Sequence, residues 1–146
     1  MKKIIIVILI LIASLIGFYF WSSNTADIKV DIAEKVGLIR VTTPLPEQVI
    51  ASPLVIEGEA RGVWFFEASF PLVLTDWDGR IIAQGYATAL SDWMTEEYVP
   101  FRGVLEFEKP EFIGEFSNRG ALILKKDNPS GLPEYDDALE MTVYFR

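Results

Sequence analysis

Trp64-Phe65-Phe66-Glu67-Ala68-Ser69-Phe70-Pro71-Leu72-Val73-Leu74-Thr75 is the stretch that decides the fold class. Its alternate members Trp64, Phe66, Ala68, Phe70, Leu72 and Leu74 are all apolar, and the intervening set carries Glu67, Ser69 and Thr75. Successive side chains of a strand point to opposite faces, so the pattern predicts a strand with one face in a core. Asp76-Trp77-Asp78-Gly79 then reads as a hairpin turn, with Gly79 available for positive φ and an aspartate able to bond its own turn backbone. The return strand, Arg80 to Leu90, places Ile81, Ala83, Gly85, Ala87 and Ala89 on one side, small enough to accommodate the aromatics opposite.

Working outward, the same period recurs. Leu54, Ile56, Gly58 and Ala60 alternate with Val55, Glu57, Glu59 and Arg61, and Val99, Phe101, Gly103, Leu105 and Phe107 with Pro100, Arg102, Val104, Glu106 and Glu108. Further strands are expected at Leu38 to Thr43, Gly120 to Lys126 and Ala138 to Phe145. About seven strands in roughly 110 residues, with no long stretch of helical period, predict an all-β chain folded as an immunoglobulin-like antiparallel β-sandwich. Pro44, Pro46, Pro53, Pro110, Pro129 and Pro133 fall between these strands or at their starts, where a missing N–H does no harm.

Ahead of the strands, Ile4 to Trp21 carry no charge and follow Lys2 and Lys3 directly. Such a run is long enough for a helix of roughly 27 Å, close to the hydrocarbon thickness of a bilayer. The lysines favour a cytoplasmic amino terminus, and Phe18, Tyr19, Phe20 and Trp21 suit the far interface. Residues 1–26 are therefore expected to be a signal anchor or transmembrane helix, 27–37 a juxtamembrane tether able to join the first strand, and 38–146 the sandwich. The protein is expected at the cell membrane as a single-pass chain with its C-terminal domain extracytoplasmic; the alternative is secretion after signal cleavage, although no clean small-x-small site is present.

Composition narrows the chemistry. The chain has no histidine and no cysteine, which removes thiolate nucleophiles, histidine-based catalytic triads, disulfides, haem ligation and ordinary zinc sites. Setting Lys2 and Lys3 aside leaves 11 basic against 21 acidic residues, a net charge of −10 from Asp27 onward. Such a surface repels phosphate backbones, so nucleic acid is not expected as a partner. No cofactor, catalytic residue or metal ligand set is implied.

Four words in the sequence carry a family resemblance: Val63-Trp64-Phe65-Phe66-Glu67-Ala68-Ser69-Phe70-Pro71, Asp92-Trp93-Met94-Thr95, Val99-Pro100-Phe101, and Lys126-Asp127-Asn128-Pro129-Ser130-Gly131-Leu132-Pro133-Glu134. In that order and spacing, over roughly Leu38 to Arg146, the chain resembles Gmad2, the immunoglobulin-like domain named for bacterial spore germination proteins. The resemblance implies a sandwich on the outer side of a bacterial membrane that mediates interaction in the envelope, with no enzymatic activity attached. A link to germination or sporulation comes from the resemblance alone, because the germination-associated module that often accompanies the domain is not in this sequence.

Several residues stand out as candidate binding positions. Trp93, in a loop, can offer a flat surface to a sugar or peptide, or cap one end of the sandwich while Asp92 and Thr95 bond the loop backbone. Trp77, at a hairpin tip, is harder to bury and is the better candidate. Asp127, Asn128, Ser130, Glu134, Asp136 and Asp137 could hold calcium, yet their spacing fits no standard loop, and Asn128-Pro129-Ser130-Gly131 reads equally as a tight turn held by side-chain bonds. Asp76-x-Asp78-Gly79 has the look of an EF-hand opening, but Arg80 and Ala87 occupy the fifth and twelfth positions, where ligands are required. Glu67 could join a second carboxylate in glycoside hydrolysis, or simply pair with Arg61 or Arg102. The expected function is a non-catalytic module that binds an envelope protein or a cell-wall polymer while tethered to the membrane; the alternatives are a carboxylate-only carbohydrate-active enzyme or a calcium-dependent adhesion domain.

Overall fold

The computed structural model describes residues 33–146, so the expected membrane anchor at 4–21 and the first residues of the tether lie outside the described part. Among the described residues no helix is long and apolar enough to cross a membrane. Among the described residues nine strands carry the fold: β1 (Glu34–Lys35), β2 (Ile39–Thr43), β3 (Val49–Ile50), β4 (Leu54–Arg61), β5 (Ser69–Thr75), β6 (Ile81–Ala89), β7 (Tyr98–Leu105), β8 (Arg119–Lys125) and β9 (Ala138–Phe145). Three single-turn 3-10 pieces are the described helical segments, at Gly62–Trp64, Glu115–Asn118 and Pro133–Tyr135.

Alternation does what the pattern predicts in β4, β7 and β9, where every second residue is buried. The strands run in the order β1-β2-β4-β7-β6-β5-β8-β9-β3, with all neighbours antiparallel except β3 beside β9. The inward residues of the two halves, among them Ile39, Ile56, Phe70, Leu72, Phe101, Leu122 and Val143, close on one apolar core. Phe70 stands edge-on to Phe101 with centroids 4.9 Å apart and tilted against Phe65 at 5.3 Å. Fully burying such side chains stabilises by about 1.5–3 kcal/mol each, so this cluster holds the fold without any disulfide.

Two packed sheets are expected from the sequence; the structure instead bonds the strands into a single sheet that folds over the core as a half-barrel, an arrangement consistent with an immunoglobulin-like sandwich. The β5–β6 hairpin is the joint. At its open end Ala87–Ala89 pair with Phe101–Gly103 of β7, and beside its turn Leu72–Thr75 pair with Ala121–Leu124 of β8. Gly103 makes the close approach possible, because a Cβ there would lie 2.5 Å from Leu72 Cδ1.

The long strand expected from Trp64 is interrupted. Glu67 and Ala68 adopt φ of +50° and +62° and turn the chain back on itself, with Phe66 and Ser69 exchanging backbone hydrogen bonds of 3.0 and 3.1 Å. Trp64 and Phe65 are both buried, and Phe66 faces solvent with 41% of its surface exposed. The reason is packing: Phe65, not Phe66, reaches the Phe70 ring. A second departure is Ile81, expected inward but turned outward by the register shift opposite Thr75.

Strands β1 and β3 are too short to show a period. β1 draws the end of the tether into the sheet: Ala33 O accepts from Val41 N at 2.8 Å, and Lys35 forms an ion pair with Asp137 at the start of β9. The Lys35 hydrogen bond holds the Asp137 carboxyl below the usual carboxylate range.

Candidate functional site

The register of the strands sorts the candidate residues to the two ends of the domain. Glu67, Asp92, Trp93, Asp127, Asn128, Ser130 and Glu134 all fall in loops at the end of the domain where the β1–β2 turn at Gly37 lies, and these loops touch one another. Asp127 N donates to Trp64 O at 3.1 Å, and Ala89 N to Ala68 O at 2.8 Å. A Cβ at Gly62 would lie 2.0 Å from Thr95 O and 2.3 Å from Trp93 O, so only glycine fits beneath the 93–95 loop.

Most of the chemistry at this end is directed into the loops themselves. Trp93 is half-buried and packs against the core, while Asp92 Oδ1 accepts from Met94 N at 3.0 Å and Thr95 Oγ1 from Glu97 N at 3.1 Å. Asn128 Nδ2 donates to Leu132 O and Asp136 Oδ1, each at 2.8 Å, and its Oδ1 accepts from Ser130 N at 3.2 Å. Among the described residues no group of three or more acidic side chains is placed to share a cation. Glu134 is exposed on its 3-10 turn.

Glu67 does not occupy a strand face. It sits exposed at the tip of the 66–69 turn, and the partners expected for it are engaged elsewhere. Arg61 donates to Glu96 O at 2.7 Å, with Glu97 3.8 Å away, and Arg102 pairs with Glu57. Those arginines belong to a ladder across the outer face of β2, β4 and β7, where Arg40 pairs with Glu59, and Arg40 and Arg61 lie 4.5 and 4.3 Å from the Tyr98 ring centroid. The hydrogen bond to Glu59 is the main cause that raises the Arg40 guanidinium further. This face is satisfied by its own cross-strand pairs.

The opposite end is different. Asp76, only 5% exposed, accepts from Asp78 N at 3.0 Å and Arg80 N at 2.9 Å through Oδ1, and from Arg80 Nε at 3.1 Å through Oδ2. Gly79, with φ +78°, completes the turn, and Trp77 is left at its tip with 38% of its surface exposed. Across from it, the buried Ser117 hydroxyl donates to Gly114 O at 2.7 Å and accepts from Ile113 N at 2.9 Å. That pair of bonds shapes the 113–118 segment, which presents Ile113, 60% exposed, and Phe116, whose ring meets Trp77 edge-on at 5.0 Å.

Between the turn and this segment lies an open cleft of about 750 Å³. Trp77, Ile81, Ile82, Pro110 and Ile113 supply its apolar lining, and Asp78, Glu108 and Glu111 supply carboxylates, with Arg80 and Lys109 as the cationic members. Trp77, Ile81 and Ile113 thus leave apolar surface exposed beside charged side chains in one concave site, while other exposed apolar residues, such as Val36, Leu90 and Met94, lie away from it. The sequence singled out Trp77 but missed Ile113 and Phe116. The available signal was an apolar Phe112-Ile113 pair between Pro110 and Gly114, in a stretch with no strand period to bury it.

The Gmad2 family model, described as the immunoglobulin-like domain of bacterial spore germination, matches residues 38–118. That span is more than half of the 146 residues and contains the whole cleft and Phe116; the Lys126–Glu134 word lies beyond it. Comparison with curated proteins gives no match, and comparison with solved structures gives none either.

Proposed function

The chain belongs to the Gmad2 family of immunoglobulin-like domains, and from that premise we propose that it is a non-catalytic binding or assembly module of the bacterial envelope, held at the membrane by its N-terminal segment and engaging its partner through the Trp77 cleft. The observation that carries this reading is the Trp77–Phe116–Ile113 cluster, left exposed on a turn and a loop that two buried polar side chains, Asp76 and Ser117, hold in place. Exposed aromatics on a rigid support lose little conformational entropy when a partner arrives, which is what a recognition surface requires. A composition without histidine or cysteine fits a binding role.

The test is affinity capture of the full-length chain from cross-linked cells, comparing wild type with Trp77→Ala and Phe116→Ala. A specific envelope protein or wall fragment recovered with wild type and reduced at least several-fold with both variants is expected. Equal recovery with the variants would remove the cleft from the function.

A further inference from the structure

We infer that the cleft takes a short cationic, apolar peptide segment of a protein partner; this rests on the binding-module reading above and narrows its partner to one chemical class. Charge is the first ground. Arg80 is already engaged by the buried Asp76 carboxylate, so among the lining residues Lys109 alone opposes the carboxylates of Asp78, Glu108 and Glu111. The cleft is therefore net acidic, within a chain whose formal net charge is −8. A polymer rich in phosphate or carboxylate meets like charge there, whereas a segment bearing lysine or arginine meets complementary charge.

Shape is the second ground. Trp77 is the one aromatic residue in the lining, and Phe116 beside it stands at 82° to the Trp77 ring, so the two rings make no continuous flat platform. The neighbouring walls, Ile81, Ile82 and Ile113, are branched aliphatics that suit an aliphatic side chain. A cleft of about 750 Å³ has room for a few side chains of such a segment. An aliphatic anchor flanked by cations matches both the isoleucines and the carboxylates of the lining.

The test uses the full-length chain in zwitterionic nanodiscs, with empty nanodiscs subtracted. The probes are a labelled capped pentapeptide Lys-Ile-Leu-Ile-Lys, its Glu-Ile-Leu-Ile-Glu counterpart, and a neutral N-acetylglucosamine oligosaccharide, all read by fluorescence anisotropy. The expected result is binding of the cationic peptide about tenfold tighter than the acidic one, weakened roughly fivefold on raising salt from about 50 to 500 mM. The exposed double variant Asp78→Lys/Glu111→Lys should reverse the preference, and Ile113→Ser should weaken both peptides. Equal binding of the two peptides, no binding of the cationic one, or an unchanged preference in the charge-reversed variant would overturn the inference. Oligosaccharide binding lost in Ile113→Ser would also overturn it while leaving the binding module intact. No probe bound, together with no partner recovered through Trp77 in cells, would overturn both.

Discussion

At the scale of single residues, two turns show how differently a sequence can announce its structure. Asp76-Trp77-Asp78-Gly79 is legible because each conformational demand has its usual residue: Gly79 takes φ +78° and Asp76 collects the turn's N–H groups. Glu67-Ala68 is not, since both adopt positive φ with neither glycine nor asparagine to signal it, and the surrounding apolar residues mimic strand alternation. Packing of Phe65 on Phe70 and the Phe66–Ser69 bonds override local preference there. The two turns should respond oppositely in one urea series followed by tryptophan emission. Asp76→Ala, which leaves two backbone donors unpaired, is expected to destabilise by about 1.5–3 kcal/mol. Ala68→Gly, which relieves a left-handed conformation, is expected to stabilise by about 1 kcal/mol.

At the scale of elements, strands with a sustained period of two were readable: β4, β7 and β9 bury the alternate residues that the pattern names. The two-residue β1 and β3 were not, because their existence depends on distant partners, β2 for the first and β9 for the second. β1 also carries a pH dependence. The Asp137 carboxyl is held below its ordinary range chiefly by the Lys35 hydrogen bond, so its contribution is present above the unfolded carboxylate range and disappears as pH falls through the depressed value. Both side chains are about a third exposed, 38% and 28%, which limits the pair to below about 1 kcal/mol. Exchange protection of the Val41 amide, which bonds Ala33 O, should therefore decrease on acidification in wild type and be lower and nearly flat across that range in Asp137→Asn. A wild-type profile as flat as the variant's would contradict this assignment.

At the scale of the whole molecule, the all-β class followed from patterning, and the family from its ordered words. The single continuous sheet did not follow, because it depends on Gly103 and Leu72, distant in sequence, approaching each other. The candidate site was half legible for a related reason. Trp77 could be recognised as hard to bury from its turn alone, whereas Ile113 and Phe116 become part of a site only when the fold brings their loop against that turn. Most other candidates converge on the opposite end, where their polar atoms largely bond the loops that carry them. The function therefore turns on which end of the domain meets a partner. Site-specific photo-crosslinking in intact cells, with the crosslinker at position 113 or at position 92, measures this directly. A discrete adduct from 113 that is absent from 92 is predicted; an adduct from 92 with none from 113 would contradict the assignment of the cleft as the binding surface.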